Sequence, residues 1–318
     1  MAPQRSIPQI TGSGPKRVTV VEVGPRDGLQ NERVRVPTAT KVQFIEALAD
    51  AGLKRIEATS FVLPEAVPQL TDAEAVFAQL HRQPGVRYSA LTPNMRGLER
   101  AEAANVREIA VFTAATDTFV RHNIRMTLEG SLEHLAPVVS RARADGVGVR
   151  GYVSTVFGCP YEGAVQPEQG IAVAERLFAM GVQEVSIGDT IGVATPGDVV
   201  RWLRAAEGRL PFDQLALHFH DTRGTALANV LVGLEFGIRT FDSTAGGVGG
   251  CPFAPGASGN LATEDLLYTL HGLGYETGVD LNKIMLASNI IANCLDHMLP
   301  SRVYQAARVT SCLPIGRS

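Results

Sequence analysis

The stretch ADAGLKRIEATS, residues 49–60, joins the end of one predicted helix to a predicted strand through a single glycine. The helical pattern before Gly52 gives way to a short β-rich run, and glycine is common just past a helix C-terminus. The same order recurs in RADGVGVRG, residues 143–151, and in FAMGVQEVSI, residues 178–187. Repeated alternation of helix, glycine and strand is typical of a parallel sheet whose crossovers are helices.

Eight strands of this kind are predicted along the chain. They are RVTVVEV (17–23), RIEATS (55–60), VRYSALT (86–92), EIAVFTA (108–114), VGVRGYVST (147–155), EVSIGDT (184–190), LALHFH (215–220) and RTFDSTAG (239–246). Helical periodicity predicts helices between them, among them 40–51, 72–80, 128–144, 167–180 and 222–236. Eight βα units without a break in composition favour an α/β fold of the (β/α)₈ TIM-barrel type over a doubly wound sheet with a second domain.

The domain organisation follows from this count. Residues 1–16 are rich in Pro, Gly and Ser, which predicts a flexible N-terminus. Residues 17–318 are expected to form a single barrel domain. Helical segments around 281–295 exceed what the barrel requires, so we expect a C-terminal helical extension packed beside it.

Bulk composition excludes several classes of function. With 45% hydrophobic residues, the chain can build a full core without a structural metal, so any bound metal would be functional. A formal net charge of -3 gives no electrostatic reason to expect nucleic acid or an anionic membrane as a partner. The four cysteines form no CxxC pair, which fits a reducing compartment, and we expect a cytoplasmic homodimer.

The stretch LHFHDTRG, residues 217–224, contains two histidines two residues apart in a predicted strand. Alternate side chains of a strand share a face, so His218 and His220 point into the same space. One reading makes one histidine a core residue and leaves the other facing water. A shared divalent metal is the better explanation, because neutral imidazole is a common metal ligand.

Other polar side chains fall at the ends of the predicted strands, where a barrel of this type carries its active site. Their clustering at one end of the barrel favours a site, because buried polar groups are costly unless they are paired. These residues are Asp27, Glu57, Ser60, Thr92, Asn94, Tyr152 and Asp189.

Arg26 and Asp27 lie in EVGPRDGLQNE, residues 22–32, at the first strand exit. In isolation, an Arg-Asp pair there is expected to be a surface ion pair in a turn. At a barrel mouth, the carboxylate can meet the two histidines and the guanidinium can stabilise a developing oxyanion.

The glycine-rich stretch STAGGVGGCPFAPGASGNLATED, residues 243–265, follows the eighth strand. It has neither the ending of a P-loop nor the spacing of a dinucleotide fingerprint. Its glycines suit a mobile loop that carries Cys251 over the site and returns at Asn260. A lone cysteine is usually inert, but this position favours a functional thiol.

Seven stretches in order, between residues 21 and 267, resemble the 3-hydroxy-3-methylglutaryl-CoA lyases, which are metal-dependent aldolase-like barrels. The stretches are VEVGPRDGLQNE, LTPN, RGYVS, GCPYEG, GDTIGV, HFHDT and GGCPFAPGASGNLATEDL. The resemblance implies a divalent cation, Mg²⁺ or Mn²⁺, held by Asp27, His218, His220 and Asn260. A mixed set of nitrogen and oxygen ligands suits such an ion.

The resemblance also implies the reaction. A retro-Claisen cleavage of an acyl-CoA substrate, HMG-CoA, would give acetyl-CoA and acetoacetate, as in leucine catabolism and ketone-body metabolism. Arg26 would stabilise the thioester enolate and Cys251 would protonate it. The other catalytic positions implied are Asp27, Glu57, Asp189 and Glu264, and the substrate-binding positions are Arg26, Asn94, Tyr152 and Asn260.

Three departures from the family pattern leave the substrate open. The chain reads TAGGVGGCPF where SVAGLGGCPY is usual, Arg223 stands where tyrosine is common, and Thr113 replaces a usual glycine. A lyase for a related substrate such as citramalyl-CoA, giving acetyl-CoA and pyruvate, is the alternative. A barrel that binds acyl-CoA without catalysis is less favoured because the acid, the oxyanion donor and the metal ligands are all present. A carboligase is less favoured because of the Cys251 loop and because we expect no appended regulatory domain.

Overall fold

A computed structural model describes residues 16–63, 65, 67–249 and 259–312 of the chain, with side chains as far as 308. The predicted flexible segment 1–15 and Cys251 lie outside these residues. In the described part, eight parallel strands close into a barrel in sequence order, with the first paired to the eighth. They are β1 Thr19–Glu22, β2 Arg55–Ser60, β3 Arg87–Leu91, β4 Glu108–Ala114, β5 Gly148–Ser154, β6 Glu184–Asp189, β7 Leu215–Phe219 and β8 Thr240–Ser243.

Helices cover the outside of the barrel and confirm the predicted fold class. In the described ranges, seven strand-to-strand crossovers and the segment after β8 carry nine α-helices between Thr38 and Gly272. In chain order they are α1 Thr38–Asp50, α2 Ala73–Gln79, α3 Met95–Ala103, α4 Asp117–Ile124, α5 Leu128–Ala144, α6 Pro167–Ala179, α7 Pro196–Ala206, α8 Ala226–Glu235 and α9 Thr263–Gly272.

The predicted strands agree closely with the observed ones, and two differences shape the site. β7 ends at Phe219, so His220 lies just beyond the strand and forms an isolated antiparallel bridge with Asn260. β8 ends at Ser243, and the next residue, Thr244, forms a bridge with Ala262 instead. The chain that returns after the glycine-rich loop is therefore paired to both strand ends.

The core lies between the strands and the surrounding helices. Fully buried aromatic side chains such as Phe44 of α1 and Trp202 of α7 fill this layer. The barrel interior is different, because charged side chains of β5 and β8 occupy it: Arg150 is 2% exposed and Asp242 is 1% exposed. Buried charges of this kind persist only when they are paired.

The predicted C-terminal extension is present as two helices. α10, Leu281–Ala292, packs against α1, and α11, Arg302–Cys312, packs against α9. The Asp265 carboxylate accepts hydrogen bonds from the Ser301 hydroxyl and from the backbone N–H of Arg302 and Val303. Within the described ranges, every helix is too short or too polar to cross a membrane.

Candidate active site

A single π-helical turn, Gly24–Gly28, follows β1 and presents Arg26 and Asp27 to the barrel mouth. The carbonyl of Val23 accepts from the backbone N–H groups of Arg26 at 3.2 Å, Asp27 at 2.7 Å and Gly28 at 3.3 Å. A Cβ at Gly28 would lie 2.4 Å from a methyl of Val248, so this turn needs glycine for its close approach to the β8 loop. π-Turns of this kind are frequent at functional sites.

The Arg26 guanidinium is held between two carboxylates. Its Nε donates to Oε1 of Glu57 at 2.6 Å, and its Nη1 donates to Oδ1 of Asp27 at 2.6 Å. Burial lowers the pKa of Arg26, but the two carboxylates raise this pKa further, so the group stays charged. Its carbon Cζ lies 5.1 Å from the ring centre of Tyr152, close enough for a cation–π contact.

Tyr152 joins this cluster to a second buried arginine. Its hydroxyl donates a short hydrogen bond to Glu57 and accepts one from Nη1 of Arg150 at 2.7 Å. Burial is the main cause of a strongly raised Tyr152 pKa, so the phenol remains protonated. Arg150 in turn donates to both carboxylate oxygens of Asp242, at 3.1 and 2.6 Å.

Asp27, His218 and His220 converge beside Arg26. One ligand atom from each lies within 4.8 Å of the others. Burial lowers the pKa of His220 to about 3, so its imidazole is neutral and has a free lone pair. Burial raises the pKa of Asp27, but Arg26 and the histidines reverse this effect, and its carboxylate is ionised.

Asn260 completes the group. Its Nδ2 donates to Oδ2 of Asp27 at 2.9 Å, while its buried Oδ1 has no hydrogen-bond partner in the described structure. Nδ1 of His220 is also buried without a partner. Because unpaired buried acceptors are costly, these two atoms together with the Asp27 carboxylate fit a divalent cation.

A cavity of about 400 Å³ opens over this cluster. Its inner end is polar, and its outer part carries apolar and aromatic side chains, including a His122 ring stacked on Tyr161 with centres 4.1 Å apart. The described residues that line it are Arg26, Asp27, Gln30, Asn31, Val62, Val67, Leu91, Phe112, Phe119, His122, Asn123, Tyr152, Val153, Ser154, Tyr161, Gly188, Thr190, His218 and His220.

Five of the described residues predicted for the site lie outside this lining. Glu57 and Asn260 bond to the lining residues Arg26 and Asp27, and the other three bond elsewhere. Asn94 caps α3 by accepting from the N–H of Gly97 at 2.9 Å. Asp189 accepts from two backbone N–H groups of the β6–α7 turn, and burial raises its pKa to about 6. Glu264 accepts from the N–H of Gly246 and from Ser288, and burial raises its pKa to about 7. Asn94, Asp189 and Glu264 therefore hold turns or helix ends.

Two buried residues behind the site, Asp242 and Arg150, were not identified from the sequence. Asp242 lies with its Oδ2 3.2 Å from Nδ1 of His218, which fixes the orientation of that imidazole. Burial raises the Asp242 pKa, but Arg150 and His218 bring this pKa far below its usual range. An Asp and an Arg in the middle of apolar strands, in RTFDSTAG and VGVRGYVST, were the available signal.

Two departures from the family pattern lie outside the cavity lining. The Thr113 hydroxyl is buried 2.8 Å from the Ser131 hydroxyl of α5. Arg223 donates to the carbonyls of Ile191 and Gly192, at 2.9 and 3.0 Å, and so holds the loop after β6. Neither residue is part of the described cavity lining.

Comparison with known proteins identifies the family of this chain. Residues 17–291 match the family model described as HMGL-like. The chain is 52% identical over 294 residues to the cytoplasmic 3-hydroxy-3-methylglutaryl-CoA lyase of Danio rerio, covering 92% of this chain and 88% of that protein. It is 50% identical over 295 residues to the mitochondrial hydroxymethylglutaryl-CoA lyase of Rattus norvegicus, covering 93% and 91%.

Solved structures agree as well. The hydroxymethylglutaryl-CoA lyase of Pseudomonas aeruginosa superposes with a TM-score of 0.91 at 48% identity, over 93% of this chain and 99% of that one. An HMG-CoA lyase of Acinetobacter baumannii in complex with coenzyme A and 3-methylmalate gives a TM-score of 0.88 at 40% identity, over 94% and 98%. This protein therefore belongs to the HMGL-like family, and the relatives that it matches over most of its length are carbon–carbon lyases.

Proposed function

We propose that this protein cleaves HMG-CoA to acetyl-CoA and acetoacetate. The observation that carries the proposal is the placement of Arg26 in contact with Asp27, beside His218 and His220, in the innermost part of the cavity. A cationic oxyanion donor thus lies next to a group that fits a divalent cation. This pairing suits a reaction in which an alkoxide is consumed and an enolate is formed.

Asp27, His218, His220 and Asn260 would hold the cation, for which we propose Mg²⁺ or Mn²⁺. When bound, such an ion favours loss of the C3 hydroxyl proton of the substrate and fixes its orientation. Asp242 would keep His218 in the orientation that leaves Nε2 free, because it occupies the Nδ1 side of the ring.

Arg26 would stabilise the thioester oxygen as negative charge develops on it. Glu57 and Asp27 fix the guanidinium in one orientation before the substrate binds, so no reorganisation is needed as the C2–C3 bond breaks. Tyr152, which remains protonated, supports this arrangement by donating to Glu57 and contributes to the cavity wall.

Cys251 would protonate C2 of the departing enolate. The residue lies outside the described part of the chain, but Gly249, two positions before it, is anchored in the site. The N–H of Gly249 donates to Glu32 at 3.1 Å, and a Cβ at Gly249 would lie 2.8 Å from Nδ2 of Asn260. A thiol with a pKa of about 8.5 in its unperturbed form is largely protonated at neutral pH and can act as the acid.

The substrate proposal favours HMG-CoA over citramalyl-CoA. Thr113 and Arg223, which departed from the family pattern, bond to α5 and to the loop after β6, and neither lines the cavity. The remaining departure, TAGGVGGCPF, lies partly outside the described residues. Close relatives named as HMG-CoA lyases support the same choice.

We also propose that residues 17–318 act as one domain within a cytoplasmic homodimer. One family model spans residues 17–291, and three of the relatives are named as cytoplasmic enzymes, while others are named as mitochondrial. The exposed side chains of Tyr268, Leu286 and Met298, on or beside α9 and α10, provide apolar area for a second copy. Sedimentation velocity of the full chain tests the dimer directly.

The experiment that tests the function combines the purified protein with Mg²⁺ or Mn²⁺ and a panel of 3-hydroxyacyl-CoAs, and identifies the products by mass. Formation of acetoacetate from HMG-CoA, lost on chelation and restored by added cation, is the expected result. Pyruvate from citramalyl-CoA at a higher kcat/KM would replace the substrate proposal. Turnover that is unaffected by chelation would remove the cation from it.

A further inference from the structure

A second pocket lies at the opposite end of the barrel, where the strands begin. It encloses about 300 Å³ and is lined mainly by the first residues of β2 to β6 and their neighbours. We call it the floor pocket. Its lining includes four arginines and only two carboxylates, which are Arg55, Arg87, Arg107, Arg150, Glu108 and Glu184.

The two carboxylates of the floor pocket are already engaged. Glu184 accepts from Nη1 of Arg55 at 2.7 Å and from Nε of Arg150 at 2.6 Å. Glu108 accepts from Nη1 of Arg87 at 3.1 Å, and lies 3.6 Å from Arg55. Asp242 offsets one further positive charge from inside the barrel. The pocket therefore keeps an excess of positive charge.

Several hydrogen-bond donors in this pocket lack an acceptor. The side chain of Arg107 is exposed and makes no hydrogen bond or ion pair with any described residue. Arg55 is only 6% exposed, and its Nε is buried without a hydrogen-bond partner in the described structure. The side-chain oxygen of Gln183 accepts from the N–H of Val149 at 3.0 Å, which leaves its amide NH₂ as a further donor.

The buried Nε–H of Arg55 is costly to leave without an acceptor. The exposed guanidinium of Arg107 lines the same pocket and adds a positive charge that no described carboxylate pairs. A multiply charged oxyanion would satisfy such donors, because its oxygens accept charge-assisted hydrogen bonds from several directions. We propose that the floor pocket is a binding site for a small oxyanion of the phosphate type.

This site is separate from the catalytic cavity. The two cavities share no lining residue, and the buried guanidinium of Arg150 lies between them, bonded to Glu184 on the floor side and to Asp242 on the catalytic side. An anion held by Arg26 would therefore be unaffected by substitutions on the floor.

The proposal is tested by calorimetric titration of the full-length protein with inorganic phosphate, at constant ionic strength and without divalent cations. Arg107→Gln removes the unpaired cation, and because the side chain is exposed, the barrel should fold normally. Arg201→Gln is the matched control, since the Arg201 side chain is 66% exposed on α7 and, among the described residues, its guanidinium pairs with Asp198 outside the floor pocket.

Wild type and Arg201→Gln should bind phosphate with the same affinity, and Arg107→Gln should bind it about tenfold more weakly, the scale of one lost charge-assisted hydrogen bond. Arg87→Gln should weaken binding in the same direction. Absence of phosphate binding to the wild type would overturn the proposal. Equal weakening of phosphate binding in all three variants would indicate only a response to the net charge of the protein. Wild-type affinity in Arg107→Gln would mean that the phosphate binds elsewhere. Either result also overturns the proposal.

Discussion

The carboxylate of Asp242 binds His218 through one oxygen and Arg150 through both, so a single buried side chain fixes an imidazole of the active site and a cation of the barrel interior. The Ser186 hydroxyl also donates to it at 2.8 Å. A carboxylate behind a histidine sets which ring nitrogen faces the ligand and strengthens that nitrogen as a donor of electrons.

Asp242→Asn should weaken cation binding by about 10- to 100-fold, the range observed for outer partners of metal-binding histidines. The amide keeps the shape of the side chain but no longer holds the histidine and the arginine by charge. Mn²⁺ binding measured by electron paramagnetic resonance checks this without relying on turnover. Ser186→Ala, which removes a weaker partner of the same carboxylate, should have a smaller effect, and unchanged affinity in Asp242→Asn would contradict the assignment.

Arg26→Lys should lower kcat by about 10²-fold, the scale for loss of one oxyanion donor, with little change in KM. Lysine keeps the charge but cannot bond Glu57 and Asp27 through a planar fork. Steady-state kinetics with HMG-CoA measure both parameters. Arg223→Lys is the control for an arginine outside the cavity lining. An effect of Arg26→Lys confined to KM would mean that Arg26 only anchors the substrate.

Cys251→Ser should retain substrate and cation binding but lose most of kcat, because a serine hydroxyl is a far weaker acid than a thiol. Cys294→Ser, at a partly buried cysteine of the C-terminal extension, should leave turnover unchanged. Single-turnover kinetics distinguish the chemical step from binding. Retention of more than about a tenth of the wild-type kcat, equivalent to less than about 1.4 kcal/mol of barrier, would remove the catalytic role.

Glu22 gives a prediction about pH and stability. Burial raises its pKa to about 7, against three hydrogen bonds that lower it, from Gly24, Ala245 and Thr263. The folded state therefore holds this proton more tightly than the unfolded state. The resulting stabilisation is present below the unfolded pKa of about 4.5 and is lost as pH rises to about 7.

Glu22→Gln should remove that loss, because the amide carries no charge at any pH. Relative to wild type, its free energy of unfolding should rise between about pH 4.5 and pH 7, by an amount on the order of 3 kcal/mol. Urea unfolding at pH 5 and pH 8 measures the difference, with Glu168→Gln on the surface of α6 as the charge-matched control. A constant difference between wild type and Glu22→Gln across this range would refute the prediction.

The strands could be predicted because their signal is local. β2 and β4 begin and end at the predicted residues. Gly52 before β2 and Asn105 before β4 adopt the positive φ that ends a helix, and the β-rich run that follows each needs no information from elsewhere in the chain. The convergence of Arg26, His218 and Asn260 could also be anticipated, because all strand exits of a barrel meet at one face.

Other features depended on contacts between distant strands. The partnership of Asp242 with Arg150 joins β8 to β5 across the barrel interior, and no local pattern encodes which side chains meet there. The π-turn at Gly24–Gly28 depends on one carbonyl, that of Val23, accepting three N–H groups, which hydrophobic periodicity does not reveal. Asn94, Asp189 and Glu264 bond to turns and helix ends in the described structure, and their roles in the site stay predictions.

The division of the cavity into a charged inner end and an apolar outer wall has a consequence for how new specificities could evolve on this scaffold. At the inner end, each charged side chain has at least two partners. A substitution there leaves a buried charge without its partner and destabilises the folded protein. The outer side chains, such as Phe112, Phe119 and Tyr161, make mainly van der Waals and ring contacts. Variation can accumulate at these outer positions, and the acyl group accepted by the enzyme can diverge while its bond-cleaving chemistry stays constant.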